Sequence, residues 1–178
     1  DLNYWTEDID NNGSSAIVDS SQIDSDSTVS IALYREYNWD YDWAKATQSV
    51  HGDYENVNVI KISYSSDIEF EVGLVDPVLE SNGESYVVIL PAAADTTVYL
   101  ELTDFDQPDW ASHSNLDMNS VTGISFASSV NGRDQTITID LTELQLNRFV
   151  IDPIVPVSPS RIKQGFSAVQ QGNLVQLS

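Results

Sequence analysis

The chain has 178 residues, 41% of them hydrophobic, with 28 acidic and 7 basic side chains and a formal net charge of -21. Such a surface repels a phosphate backbone and an anionic bilayer, so neither nucleic acid nor membrane is an expected partner, while neutral glycans and cations are admitted. The absence of cysteine excludes disulfides, thiolate catalysis and Cys-ligated zinc, and no apolar run reaches the length of a membrane span.

The length suits one domain with its own core. The chain starts at Asp1 without Met or a signal peptide, so it reads as a processed or trimmed fragment of something longer. Near the start, Tyr4 and Trp5 are followed by Glu7, Asp8 and Asp10, and Asn11-Asn12-Gly13 signals a turn. Ser14 to Ser20 reads as a short strand. From Ser27 to Glu36, Val29, Ile31 and Leu33 share one face and Ser30, Ala32 and Tyr34 the other, which is strand alternation. Ala44 to His51 continues as a strand of small residues. Val57 to Ser65, the turn at Ser65-Ser66-Asp67 and the alternation of Ile68, Phe70, Val72 and Leu74 predict a half-buried antiparallel hairpin, ended by Asp76-Pro77.

Glu80 to Glu84 is a polar loop. Tyr86 to Leu90 is apolar on both faces and reads as a central strand. Val98, Leu100 and Leu102 alternate with polar residues, and Asp104 to Trp110 is a second polar loop carrying aromatics. Val121 to Ser128 and Gln135 to Leu146 are the last clear strands. In the latter, Ile137, Ile139 and Leu141 hold one parity and Leu144 and Leu146 the other, which predicts a bulge or strand end near Thr142. About nine strands at regular spacing, without helical periodicity, indicate an all-β fold, a β-sandwich or barrel.

Composition changes at the end of that run. Of the 28 acidic residues, 27 precede Asn147, whereas three of the seven basic residues follow it. Pro153, Pro156 and Pro159 mark an extended segment. We therefore divide the chain into a domain at residues 1–146 and, at 147–178, a linker leading into a truncated element.

The stretch from Tyr34 to Trp43 points to function. Five of its ten residues are aromatic and three are carboxylates. Burying all five rings would desolvate the interleaved acids, at several kcal/mol per unpaired charge. Some rings must then lie at the surface beside hydrogen-bonding groups, a combination suited to a pyranose with its apolar face and rim of hydroxyls. The loop ending Gln107-Pro108-Asp109-Trp110 repeats this chemistry. Loop ends of a sandwich cluster, so the two loops can converge on one ligand. Candidate ligand contacts are Tyr4, Trp5, Tyr34, Trp39, Tyr41, Trp43, Asn82, Glu84, Gln107, Asp109 and Trp110.

Nothing in the sequence marks a catalyst. Glycoside hydrolysis needs two carboxylates at about 5–5.5 Å or about 6.5–9.5 Å, and no nucleophile or acid–base motif singles out a pair. Asp8, Asp10 and Asn12 imitate the start of a calcium loop but lack the glutamate at its twelfth position. No cofactor is required. A structural calcium ion is compatible with an oxygen-rich sandwich, and Asp140, read as turned inward with Thr138 and Thr142, is the candidate ligand.

From Thr97 to Leu146, Leu-Glu-Leu-Thr-Asp-Phe is followed by the Asp-Trp loop, by Leu-Asp-Met-Asn-Ser-Val-Thr-Gly-Ile-Ser-Phe and by Thr-Ile-Asp-Leu-Thr-Glu-Leu-Gln-Leu. This resembles the C-terminal half of jelly-roll carbohydrate-binding modules of bacterial cellulases, notably families 11 and 30, and the likeness extends loosely back to Tyr4. The resemblance implies a jelly roll of two antiparallel sheets with a glycan cleft on the concave sheet. Asp109 and Trp110 fall near a family Asp and Tyr, Tyr4 or Trp5 near the first family aromatic, and Asn82 to Glu84 near an acidic contact. Gln107 or Pro108 stands where those modules carry arginine, and Ser128 where they carry tyrosine. The expectation is a non-enzymatic module, secreted by a bacterium and covalently linked to a glycoside hydrolase. It would bind a plant cell-wall polysaccharide or oligosaccharide, β-glucan first. The alternative is a structural or adhesive sandwich of a surface protein, with no glycan site.

Overall fold

A computed structural model describes residues 5–10, 13–19, 28–36, 43–50, 54–112, 114–128 and 134–147, and the backbone of strands at 168–171 and 174–177. Strands β1 (Trp5–Ile9), β4 (Ala44–Ser49), β9 (Gly123–Ser128), β6 (Phe70–Val75) and β7 (Tyr86–Leu90) form one antiparallel sheet, A, in that spatial order. Strands β2 (Ser15–Asp19), β3 (Val29–Arg35), β10 (Gln135–Asn147), β5 (Val59–Ser66) and β8 (Ala93–Glu101) form the second, B. The expected all-β sandwich of two antiparallel sheets is what the chain adopts. The strands of sheet B alternate because that sheet buries one face and wets the other, whereas β9 at the centre of sheet A is buried along its whole length. Ile31, Leu33, Ile60, Ile62, Ile137 and Ile139 of sheet B and Phe70, Val72, Ile124 and Phe126 of sheet A are all at or below 1% exposed. Between the layers Tyr64 and Phe70 meet edge-on, ring centroids 5.1 Å apart.

The parity switch in the last long strand is a bulge. Leu141 pairs with Tyr64 but Glu143 with Ser63, so Thr142 is the extra residue. Its hydroxyl donates to the Ser63 carbonyl at 3.2 Å.

Three expectations are corrected. The predicted hairpin is no hairpin: β5 lies in sheet B and β6 in sheet A. The turn between them crosses the layers, with Ser66 Oγ donating to the Ile68 carbonyl at 2.7 Å and Asp67 accepting from Thr138 N at 3.0 Å. Alternation reports which face of a strand is buried, not which sheet holds it. Strand β7 is an edge, not a central strand, and its Ile89 is 57% exposed. That edge is protected where Asp106 bridges Val87 through N–H···O bonds of 2.9 and 3.0 Å.

The third correction is a helix. Pro77–Ser81 forms α1, with Asp76 as N-cap accepting from Val78 N at 2.8 Å and from Leu79 N at 3.3 Å. Asp followed by Pro at the first helical position is a helix-start signal as well as a strand stop. Beyond β10, which ends at Asn147, strands β11 (Ala168–Gln171) and β12 (Leu174–Leu177) pair antiparallel with each other.

Candidate functional site

The outward face of sheet A follows from the register. Since Phe70, Val72, Ile124 and Phe126 point inward, the alternate residues face out. One row across the sheet reads Asp8, Lys45, Ala127, Glu71, Ile89; the next reads Thr6, Thr47, Ser125, Gly73, Val87. The middle of this face is made of small residues. A Cβ on Gly73 would lie 2.5 Å from Ser125 Oγ, and one on Gly123 2.7 Å from Thr47 Cγ2, so a larger residue at either position would force the neighbouring side chain to move.

Lys45 organises one side of the face. Its ammonium pairs with Glu80, lies 3.6 Å from Asp8 and sits 5.2 Å from the centroid of the Trp43 ring. Glu80 belongs to α1, so the helix reaches back over the outward face. The helix is held there through its cap, because the Ser120 hydroxyl donates to the second carboxylate oxygen of Asp76. Asp10 fixes the base of the aromatic loop. It is buried, accepts from Ser14 Oγ at 2.7 Å and from Trp43 N at 2.8 Å, and joins the β1–β2 turn to the start of β4.

A second group stands at the β7 end. Gln107 Nε2 donates to the Glu84 carbonyl at 2.6 Å, and Ser112 Oγ to the Glu84 carboxylate at 2.8 Å. Gln107 is buried, and its Oε1 has no hydrogen-bond partner among the described residues. Gly83 turns with φ +71°, and the ring of Trp110 lies 3.1 Å from where its Cβ would be. Trp110 remains 66% exposed, and Asp109, next to it in the sequence, and Asn82, next to Gly83, are exposed as well. The connection carrying α1 runs from Glu80, which meets Lys45, to Gly83, which meets Trp110.

Of the predicted contacts, the structure therefore gathers Asn82, Glu84, Gln107, Asp109 and Trp110 onto two adjacent loops, with Trp43 beside Lys45. It sets two others apart. Trp5 turns inward against Phe126, ring centroids 5.8 Å apart, and its indole nitrogen is buried. Its parity on β1 matches the core side, as the Trp5–Gln48 and Glu7–Ala46 pairs require. Tyr34 lies on the outward face of sheet B, between Ser15 and Thr136, on the far side of the sandwich. Desolvation, then the charges of Asp134 and Glu36, push its phenol pKa up. Tyr4, Trp39 and Tyr41 lie outside the described residues.

Asp140 is corrected. Its neighbours Ile139 and Leu141 point inward, and Asp140 faces out between Ser30 and Ser65. Among the described residues no group of three His, Cys, Asp or Glu side chains could hold a metal ion. No helix among them is long and apolar enough to cross a membrane.

Sequence reading passed over Lys45 and Glu71. Glu71 is half-buried at the middle of the outward face, and desolvation raises its pKa against the opposing charge of Lys45. Its signal in sequence is only a polar residue at an alternating position of a strand, because the residues that flank it, Ala127 and Ile89, belong to other strands.

No protein-family model matches the sequence, and no curated protein matches it. Among solved structures, a family 30 carbohydrate-binding module is 15% identical, with 84% of this chain and 82% of that one covered and a TM-score of 0.52. A family 11 module solved in solution is 16% identical over 78% of this chain and 87% of that one, at a TM-score of 0.47. An exo-β-agarase is 15% identical over 82% of this chain but 24% of its own, at a TM-score of 0.45. This chain thus spans about a quarter of that enzyme. By its likeness to the family 30 module, the fold is that of a carbohydrate-binding-module jelly roll.

Proposed function

We propose that this chain binds a polysaccharide without cleaving it, through the outward face of sheet A and the loops at its β7 edge. The observation that carries the reading is Trp110. An indole 66% exposed would ordinarily be a liability for solubility, yet this one is seated on Gly83. Beside it stand the carboxylate of Glu84 and the exposed side chains of Asn82 and Asp109. A flat ring for the CH-rich face of a sugar, flanked by groups that bind hydroxyls, is what a pyranose needs. Trp43, over Lys45, offers a second ring on the same face. Trp39 and Tyr41 belong to the same reading through their place in the loop before Trp43.

The ligand we expect is a plant cell-wall glycan, β-glucan first, and the module would serve an attached glycoside hydrolase exported by a bacterium. Affinity electrophoresis in gels containing mixed-linkage β-glucan, xyloglucan, hydroxyethylcellulose, xylan or mannan tests this. Retardation of the wild type by at least one polymer, reduced in Trp110→Ala, is the expected result. Equal mobility in every gel would overturn it, as would release of reducing sugar above a heat-killed control for the non-catalytic part.

A further inference from the structure

Glu71 is out of keeping with its surroundings. It is a half-buried carboxylate on the outward face of β6, with Ala127 on one side and Ile89 on the other. Among the described residues nothing donates a hydrogen bond to it. Lys45, two strands away in the same row, is the cation near enough to act on it, and that ammonium is already shared between Glu80 and Asp8. A carboxylate partly withdrawn from water, with no protein donor among the described residues, is destabilising, so its presence on a face built from small residues calls for a partner that arrives later. Gly73 and Ala127 beside Glu71 have no side-chain donor to offer.

We propose that Glu71 is the specificity-determining acceptor of this face: it takes a hydrogen bond from a hydroxyl of an uncharged sugar chain and turns away carboxylated chains. The proposal rests on the glycan-binding reading and deepens it. A hydroxyl donor supplies what the protein leaves unmade around the carboxylate. An acidic sugar would instead set a second anion beside Glu71, with Lys45 already occupied. The domain's overall negative charge acts in the same direction. Trp110 and Trp43 give affinity through their rings; Glu71 decides the charge class of what those rings hold.

The test uses two polymers with the same backbone, hydroxyethylcellulose and carboxymethylcellulose, together with mixed-linkage β-glucan, against wild type, Glu71→Gln, Glu71→Ala and Trp110→Ala. The expected result is tighter wild-type binding to the neutral polymers, with Glu71→Ala at least tenfold weaker on them. Glu71→Gln, which keeps an acceptor oxygen, loses less and narrows the gap between hydroxyethylcellulose and carboxymethylcellulose. Both Glu71 variants melt at or above the wild-type temperature at pH 7, because an unpaired carboxylate has gone. Melting temperatures lowered in both would make Glu71 a structural group and overturn the proposal. If Glu71→Ala binds as wild type does while Trp110→Ala does not, the proposal fails and glycan binding stands. If the wild type binds none of the polymers, both fail.

Discussion

The amide of Gln107 donates to the main-chain carbonyl of Glu84 at 2.6 Å, across 23 residues of sequence. One buried side chain thereby ties the turn that carries Trp110 to the loop that follows α1. Gln107→Leu should leave the Glu84 carbonyl without this donor and cost about 1–2 kcal/mol of folding free energy. It should also weaken polysaccharide binding, although Gln107 need not touch the sugar, because Trp110 loses its fixed seat. Denaturant midpoints and gel retardation of the same variant check both parts.

Trp110 and Trp5 should separate cleanly. Trp110→Ala is expected to lose about 1–3 kcal/mol of binding, as a contact anchor does, with little change in stability. Trp5→Ala removes a ring packed on Phe126. It should cost about 3 kcal/mol of stability, near the low end for a large buried aromatic, with the affinity of the folded fraction retained. Chemical denaturation beside isothermal titration with β-glucan distinguishes them.

The carboxylates predict opposite responses to pH. Although partial burial opposes it, hydrogen bonds from Ser120 and from the Val78 and Leu79 N–H groups hold Asp76 below its usual 3.8. The hydrogen bond from Lys61 holds Glu143 below 4.5. Each contributes stability that is present above the unfolded value and is lost as pH falls through the lower folded value. Glu71 has the reverse sign. Burial raises its folded value above 4.5, so its protonated form favours the native state and that advantage is lost as pH rises through the folded value. Glu71→Gln should therefore melt above wild type at pH 7, by a margin that shrinks toward pH 4. Asp76→Ala should melt below wild type at pH 7, by a margin that shrinks below pH 4. Thermal melts from pH 3 to 8 give the signs.

We also expect a chain ending at Arg148 to keep the sandwich. Strand β10 runs to Asn147, whose carbonyl accepts from Asn58 N at 3.2 Å, so among the described residues the last hydrogen bond of sheet B lies before the cut. The melting midpoint should stay within a few degrees of the full chain. A fall equivalent to more than about 1 kcal/mol would show that the tail supports a sheet.

Much of the sandwich was legible because strand period is a local signal. Val29, Ile31 and Leu33 announce a buried face, and Leu141 followed by Leu144 announces the bulge at Thr142. The assignment of strands to layers was not legible, since a turn at Ser66-Asp67 can close a hairpin or cross between sheets with the same residues. At the site, the sequence named the loop of Trp110 because an aromatic among acids is unusual there. It could not exclude Trp5, whose inward parity is fixed by pairing with β4. Nor could it find Glu71, whose surroundings depend on β9 and β7 being brought to either side of β6.

Strand β10 has one more consequence. It lies between β3 and β5, and without it sheet B divides into two separate strand pairs; β9 does the same for sheet A between β4 and β6. Both central strands come from the last part of the domain. During synthesis, the ribosome must therefore deliver nearly the whole domain before either sheet can close, and β3, β4, β5 and β6 each wait with an unpaired edge. A nascent chain that stalls before residue 123 presents those edges to its neighbours, so conditions of expression that slow elongation there should favour aggregation over folding.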